Sequence, residues 1–525
     1  MPPTPWERAA PAAHRRVRRV ERASAIWAAC SQGRSPLHLD APVDVTLFSL
    51  ICTAFARSLI PLAHLHIPSY SLIFPKHPHM HPSTPHQSVT PLNRREFLQK
   101  SAQAGGVIFS ALPIARHAHA ASGGGPLKLA LVGGGGRGLG AANQALSTGH
   151  PIQLVAVAEL FQDKAEGAVA TIKAQHPNAV DVPPERIFIG FEAYKQAISA
   201  CDVVILASPC VFRPAMFEEA VRQGKHVFME KPVAVDAPGI RRVLAAAAEA
   251  KKKNLKVGVG LQRRHKLGYR EAVKRVQDGA IGQIFYARTF WNMGTARAMV
   301  PRRPEWNELE YQLHNQFYFA WQCGDIHVDM GLHNIDVINW IKGMYPVRAM
   351  GVAGAEVRRG KDAGSLYDHF AIEYEYADGT RLFAQNRQIA GCFNYVAENA
   401  HGSLGSVEMI NERNIFTITG PNAWKYEPEK PTVNPYQLEH DDLFKAIVND
   451  EPYNEAERGA LSTMTAIMGR MAGYSGKRIE LEEALASQKP FSREITSLKD
   501  EPPVLPDADG AYPIPVPGRY DPLSS

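Results

Sequence analysis

Between Leu127 and Gln262, short, continuously apolar runs alternate with stretches in which apolar residues return every three or four positions. Apolar runs lead into Gly133, end on Glu159, and span Asp202–Ser208, His226–Glu230 and Lys256–Gln262. This alternation predicts strands separated by amphipathic helices, the pattern of a doubly wound parallel sheet over residues 121–262. After Gln262 it gives way to helices and to strands with a two-residue period. Asp368–Tyr376 and Arg381–Gln388 flank Asp378-Gly379 and predict a hairpin, because Asp-Gly supplies the turn between two strand-like runs. Tyr436–Asn449 and Asn454–Tyr474 read as two amphipathic helices that return to brace the domain boundary. The expected class is therefore α/β: the parallel-sheet domain, then an α+β domain over residues 263–525. The latter carries an open, mainly antiparallel sheet with helices on one face. The Pro-rich tail from Pro502 lacks a period and is expected to lie extended over the surface or a neighbouring subunit.

The region before Leu127 follows other rules. Asn93-Arg94-Arg95-Glu96-Phe97-Leu98 resembles a twin-arginine export motif, and the apolar run Ala102–Ala115 leads to a small-x-small site at Ala118-His119-Ala120. That run is too short and too rich in glycine for a permanent membrane span, so cleavage after Ala120 and periplasmic release are expected. A signal over residues 80–120 leaves residues 1–79, rich in Arg, Pro and His, as a disordered or mis-assigned extension.

With 525 residues, 45% of them apolar, the chain can build two cores. Its net charge of +6 sits at the front: residues 1–120 hold 13 Lys/Arg against 5 Asp/Glu, a balance of +8 that leaves −2 for the remainder. A nearly neutral body implies neither a nucleic-acid partner nor an anionic membrane surface. The six cysteines show no C-x-x-C pair and no zinc spacing, so free thiols are expected and no metal site.

The chemistry begins at Gly133-x-Gly135-x-x-Gly138, which sits between a strand and a helix, with the acid Glu159 ending the next strand 21 positions on. Gly133 permits the tight turn, Gly135 the approach of a pyrophosphate, and Gly138 close packing of helix on sheet, while the helix N-terminus offers free N–H groups. This is a Rossmann dinucleotide fingerprint in its proper context. Glu159 suits the adenosine ribose hydroxyls and repels a 2′-phosphate, which makes NAD the expected cofactor; NADP is admitted if Arg137 or Lys164 neutralises that charge. Ser208-Pro209 and Glu230-Lys231 end strands on the edge where ligands gather in such sheets.

Together, the glycine fingerprint, the Ser208-Pro209 turn and Glu230-Lys231-Pro232 resemble the Gfo/Idh/MocA family of NAD(P)-dependent sugar oxidoreductases, from about Leu127 to Ile479. The resemblance implies that Lys231 lies beside the nicotinamide and touches a substrate hydroxyl. It also implies that the second domain binds substrate and forms a dimer or tetramer; from the expected architecture, the open face of its sheet should cover the nicotinamide. Many members carry a histidine five places after the Ser of the Ser-Pro turn; this chain has Arg213, for which a grip on an acidic group is the expectation.

At helical spacing Asp329, His333 and Asp336 share one face, and the resemblance assigns the first two to the active site with Lys231. The chemistry agrees. Oxidation of a secondary alcohol needs a base, for which histidine is suited, a carboxylate to orient it, and an ammonium to favour the developing alkoxide. The expected roles are proton acceptor for His333, orientation of His333 for Asp329, polarisation of the oxygen for Lys231, and an orienting or structural acid at Asp336. Gln262, Arg263, Arg264, Asn292, Arg387, Glu398 and His401 are further polar candidates near strand ends. The function expected is exported, NAD-dependent hydride transfer on a secondary hydroxyl of a sugar, cyclitol or glycoside. Glycoside cleavage through transient oxidation, and a non-catalytic sugar or nucleotide sensor, stay open as alternatives.

Overall fold

The computed structural model describes residues 125–295, 297–428, 430 and 432–524. The twin-arginine motif, the cleavage site and the extension before Met80 lie outside the described residues. The first domain runs β1 (Leu127–Val132), α1 (Gly136–Leu146), β2 (Ile152–Glu159), α2 (Gln162–Gln175), β3 (Ile187–Ile189), α3 (Ala193–Ser199), β4 (Val203–Leu206), α4 (Arg213–Arg222), β5 (His226–Met229), α5 (Ala237–Lys252) and β6 (Val257–Val259). The strands are all parallel, in the order β3-β2-β1-β4-β5-β6. Val203–Leu206 and His226–Met229 are buried throughout, as central strands covered on both faces must be. Between β1 and β4 the strand order reverses, which opens the crevice at the carboxyl ends.

The second domain continues with α6 (Leu267–Gln277), β7 (Ile284–Met293), α7 (Glu308–His314), α8 (Ala320–Cys323), α9 (Ile326–Asp329), α10 (Leu332–Lys342) and β8 (Arg348–Gly354). Strands β9 (His369–Glu375), β10 (Arg381–Gln388), β11 (Tyr395–Gly402), β12 (Gly405–Ile410), β13 (Ile415–Thr419) and β14 (Trp424–Lys425) follow. The chain closes with α11 (Pro435–Val448), α12 (Ala456–Ser475), β15 (Ile479–Glu480) and α13 (Leu481–Ala486). Its sheet has the order β14-β13-β12-β11-β7-β10-β9-β8-β15 and is antiparallel except where β10 meets β7. The expected hairpin is β9–β10, turned at Gly379 with φ +84°.

Three expectations are corrected. The face of this sheet turned toward the first domain is the one that carries α9 and α12, where His327 bonds Asn386 and Tyr374; the open face, with Met350 and Val352 exposed, points away from the nicotinamide edge. Asp329 and His333 do not share one continuous helix. The hydrogen-bond ladder is interrupted between α9 and α10 at Met330-Gly331, although both residues keep right-handed helical dihedrals, and Gly331 packs closely on β10, where a Cβ would lie 2.7 Å from Asn386 Oδ1. Helix α12 is not amphipathic: every residue from Ser462 to Ser475 is buried. Small residues make that burial feasible, since a Cβ on Gly469 would fall 1.9 Å from Tyr374 Oη.

Helix α11 does return to the first domain, placing Leu443, Phe444 and Ile447 in one core with Leu129, Leu131 and Phe228. The C-terminal tail lies on its own subunit: Tyr367 Oη donates to Pro515 O and Tyr512 Oη to Glu308 Oε1.

Candidate active site

Gly133 takes φ +96°, and a Cβ there would meet Ser208 N at 2.6 Å; a Cβ on Gly138 would strike Gly133 O at 1.9 Å. These two glycines let the first turn of α1 close on β1 and β4. Gly135 caps α1, and its Cβ direction is open, into a cleft of about 350 Å³ that Glu159, Lys164, Ser208 and Pro209 also line. Glu159 is fixed in the wall, accepting Gly134 N through Oε2 and Leu160 N through Oε1, both at 2.7 Å. Free helix N–H groups, an open glycine and a positioned carboxylate suit a pyrophosphate and a ribose diol, so these residues fit a dinucleotide. Lys164 sits beside Glu159; burial lowers its pKa, and the Glu159 charge opposes that shift.

Arg137 departs from expectation. Its Nε pairs with Glu230 Oε1 at 2.9 Å and its guanidinium covers the Tyr436 ring, so it turns away from Glu159 and from the cleft. The reason is Glu230, a buried acid whose pKa burial raises and the cations Arg137, Lys231 and Arg213 lower. An uncompensated carboxylate at that depth is costly, and it captures the nearest arginine.

Lys231 follows β5 directly. Its Nζ donates to Asp329 O at 2.6 Å and Asp329 Oδ1 at 3.1 Å, joining the first sheet's edge to α9. His333 lies one turn further along, buried and stacked on Trp291 with ring centroids 5.6 Å apart. Burial, followed by the Lys231 and Arg263 charges, holds its pKa well below the ordinary histidine value. The lysine and the imidazole therefore share one electrostatic site. The expected orienting contact is absent: Asp329 serves Lys231, and His333 Nδ1 is buried without a hydrogen-bond partner among the described residues. Packing against Trp291 sets the ring instead. Asp336 is structural, bonded bidentately by Arg264 at 2.8 and 2.7 Å and by Ser462 Oγ at 2.7 Å.

Most of the remaining candidates turn out to hold the scaffold. Arg213 is buried and donates to the carbonyls of Ser208 and Pro232, tying two strand-end turns together; it grips no external acid. Arg263 and Glu398 form a buried pair that Tyr269 and Asn334 complete, Gln262 donates to Tyr436, and Arg387 donates to Phe393 O. His401 packs near Tyr286, and Asn292 is half-buried on β7. Sequence reasoning overlooked Trp291 and a small pocket beside Asp329 lined by Thr295, Tyr318, Arg358 and Gln388. Arg358 there donates to Gln388 Oε1 at 2.6 Å and covers the Tyr318 ring. These residues come from separate loops and strands with no local motif.

Comparison with known proteins agrees with this geometry. Residues 127–259 match the oxidoreductase family with an NAD-binding Rossmann fold (GFO_IDH_MocA), and residues 273–479 match the C-terminal alpha/beta domain of the same family. The chain belongs to the Gfo/Idh/MocA oxidoreductase family, and it is an NAD-binding oxidoreductase. Inositol 2-dehydrogenase of Rhizobium meliloti (strain 1021) is 26% identical over 272 residues, 52% of this chain and 72% of that protein. Aldose-aldose oxidoreductase from Caulobacter crescentus, solved with glycerol, shares the fold with a TM-score of 0.53 at 19% identity, over 68% of this chain and 99% of its own. Scyllo-inositol dehydrogenase from Lactobacillus casei, solved with NAD(H) and scyllo-inositol, does so with a TM-score of 0.51 at 21% identity over the same shares.

Proposed function

We propose that this protein transfers hydride between NAD and a secondary hydroxyl of a sugar, cyclitol or glycoside, with Lys231 and His333 as the groups that touch the reacting oxygen. The observation that carries this reading is the bond from Lys231 Nζ to Asp329, which joins the carboxyl edge of the first sheet to α9 and keeps the ammonium within electrostatic reach of the buried, neutral His333. Bound NAD supplies the acceptor for the hydride that leaves the carbinol carbon. His333 takes the hydroxyl proton, for which its depressed pKa keeps it free. The Lys231 ammonium donates a hydrogen bond to the oxygen as negative charge develops there. Asp329 is a positioning residue that holds Lys231 in place. Arg358 and Gln388, beside Asp329, are suited to reading further hydroxyls of the substrate.

The test is NADH accumulation, followed by absorbance, with a panel of aldoses, cyclitols and glycosides. One or more should be oxidised by the wild type. His333→Ala is expected to lower kcat by roughly two to four orders of magnitude while NAD binding is retained. Unchanged turnover in that variant would place the base elsewhere. We further infer that Arg94-Arg95 and Ala118-His119-Ala120 direct export with cleavage after Ala120.

A further inference from the structure

The nucleotide cleft has a roof supplied by the second domain. Between β7 and α8 the chain crosses the opening, and Arg297, Val300, His314, Asn315 and Phe317 face Gly133, Gly135 and Glu159 across the cavity. This roof is rigidly built. Asn315 Oδ1 accepts Val300 N at 2.7 Å, and its Nδ2 donates to Val300 O at 3.1 Å, closing the loop on itself. His314 stacks between Phe161 and Trp306, with centroid distances of 4.2 and 3.9 Å, so the roof also rests on the strand end that carries Glu159. From outside the C-terminal tail clamps it: Gln312 Nε2 donates to Val504 O and Asn307 Nδ2 to Leu498 O, while Ile495 and Tyr512 pack with Leu309, Tyr311 and Phe319.

One cation on this roof has no structural task that accounts for its charge. Arg297 makes no ion pair with a carboxylate among the described residues, and its guanidinium lies over the Phe317 ring at 4.7 Å. Its Nη2 is 3.9 Å from where a Cβ on Gly136 would stand, at the first residue of α1. The glycine loop has no other arginine to offer, since Arg137 is committed to Glu230. The charge thus lies above the N–H groups that receive the pyrophosphate, where an anion would be held from two sides.

We propose that Arg297 is a second-domain ligand of the dinucleotide pyrophosphate, a cofactor-binding residue outside the glycine fingerprint. The planar guanidinium suits paired contacts to phosphate oxygens, and the aromatic stack orders it before the cofactor arrives. With a roof braced by the tail, this contact slows release of NAD. The inference rests on the NAD site described above and adds a residue to it.

The experiment is fluorescence titration of the full chain with NADH, with displacement by ADP and by adenosine, for wild type, Arg297→Ala and Arg297→Lys. Arg297→Ala is expected to weaken NADH and ADP by roughly tenfold or more and to leave adenosine unchanged, with Arg297→Lys between the two. Equal NADH affinity in wild type and Arg297→Ala would overturn the proposal. So would an equal loss for adenosine, which would mark a disturbed roof and not a lost phosphate contact. A wild type that bound no NADH would sink the NAD site itself and the clamp with it, an outcome distinct from both.

Discussion

Burial pulls the His333 imidazole below its ordinary pKa of 6.5, and the nearby charges of Lys231 and Arg263 add to the effect. Because the folded-state pKa is lowered, the neutral ring persists at pH values where an exposed histidine would already be protonated. The acid limb of kcat/KM, which reports the base of the free enzyme, is therefore expected below pH 6.5. A pH–rate profile breaking at or above 6.5 would assign that limb to another group. The residue types of the site were legible in the sequence: a lysine ending a parallel strand, and an acid and a histidine close together further on. Their pairing was not. Spacing alone put Asp329 beside His333, but the stronger partner was a cation 98 positions away in the chain. An ammonium in a poorly solvated site takes the nearest carboxylate.

The central strands of the first domain followed the apolar pattern, because β4 and β5 are covered on both faces and read as continuous runs, whereas the short, partly exposed edge strand β3 (Ile187–Ile189) gave no such signal. Helices α11 and α12 were placed correctly, and α11 is amphipathic as expected, but α12 was misjudged in character, since a helix packed on several sides has no polar face to reveal. Helix α11 carries a liability on its buried face. Among the described residues neither ring nitrogen of His440 has a hydrogen-bond partner, though both are buried; the ring centroid lies 4.1 Å from that of Phe228, and burial, Arg137 and His265 lower the imidazole pKa to about 3. On unfolding the ring regains a pKa near 6.5, so the unfolded chain takes up a proton that the folded one refuses, and this residue's contribution to stability declines as pH falls from 6.5 toward 3. His440→Phe removes that penalty. Its stability relative to wild type should grow by about 2 kcal/mol between neutral pH and about pH 5, measured by urea unfolding; a pH-independent difference would show that His440 does not titrate in this way.

Across the whole molecule, the nucleotide domain is not completed by its own sequence. Its core needs Leu443, Phe444 and Ile447 from α11, and the cleft needs a roof pinned by residues as late as Tyr512. A cofactor site finished only by residues near Tyr512 would be complete only after folding, which is the state the export proposed above requires. N-terminal sequencing of protein recovered from the extracytoplasmic fraction is expected to begin at Ala121; a mature chain starting well before it would contradict cleavage after Ala120.

Local chemistry determined what the sequence could show by itself: glycines where the backbone must turn or approach a ligand, an acid at a strand end, and apolar periods that separate a parallel from an antiparallel sheet. Those features are set by neighbours within one strand, turn or helix, so they are written in short stretches. Tertiary structure alone decided which charge meets which. Arg263 with Glu398, Arg264 with Asp336 and Lys231 with Asp329 join residues 135, 72 and 98 positions apart. Those partnerships are enforced by the cost of burying an unpaired charge, and that cost exists only once distant segments have packed: within the second domain for the two arginine pairs, and between the two domains for Lys231 with Asp329.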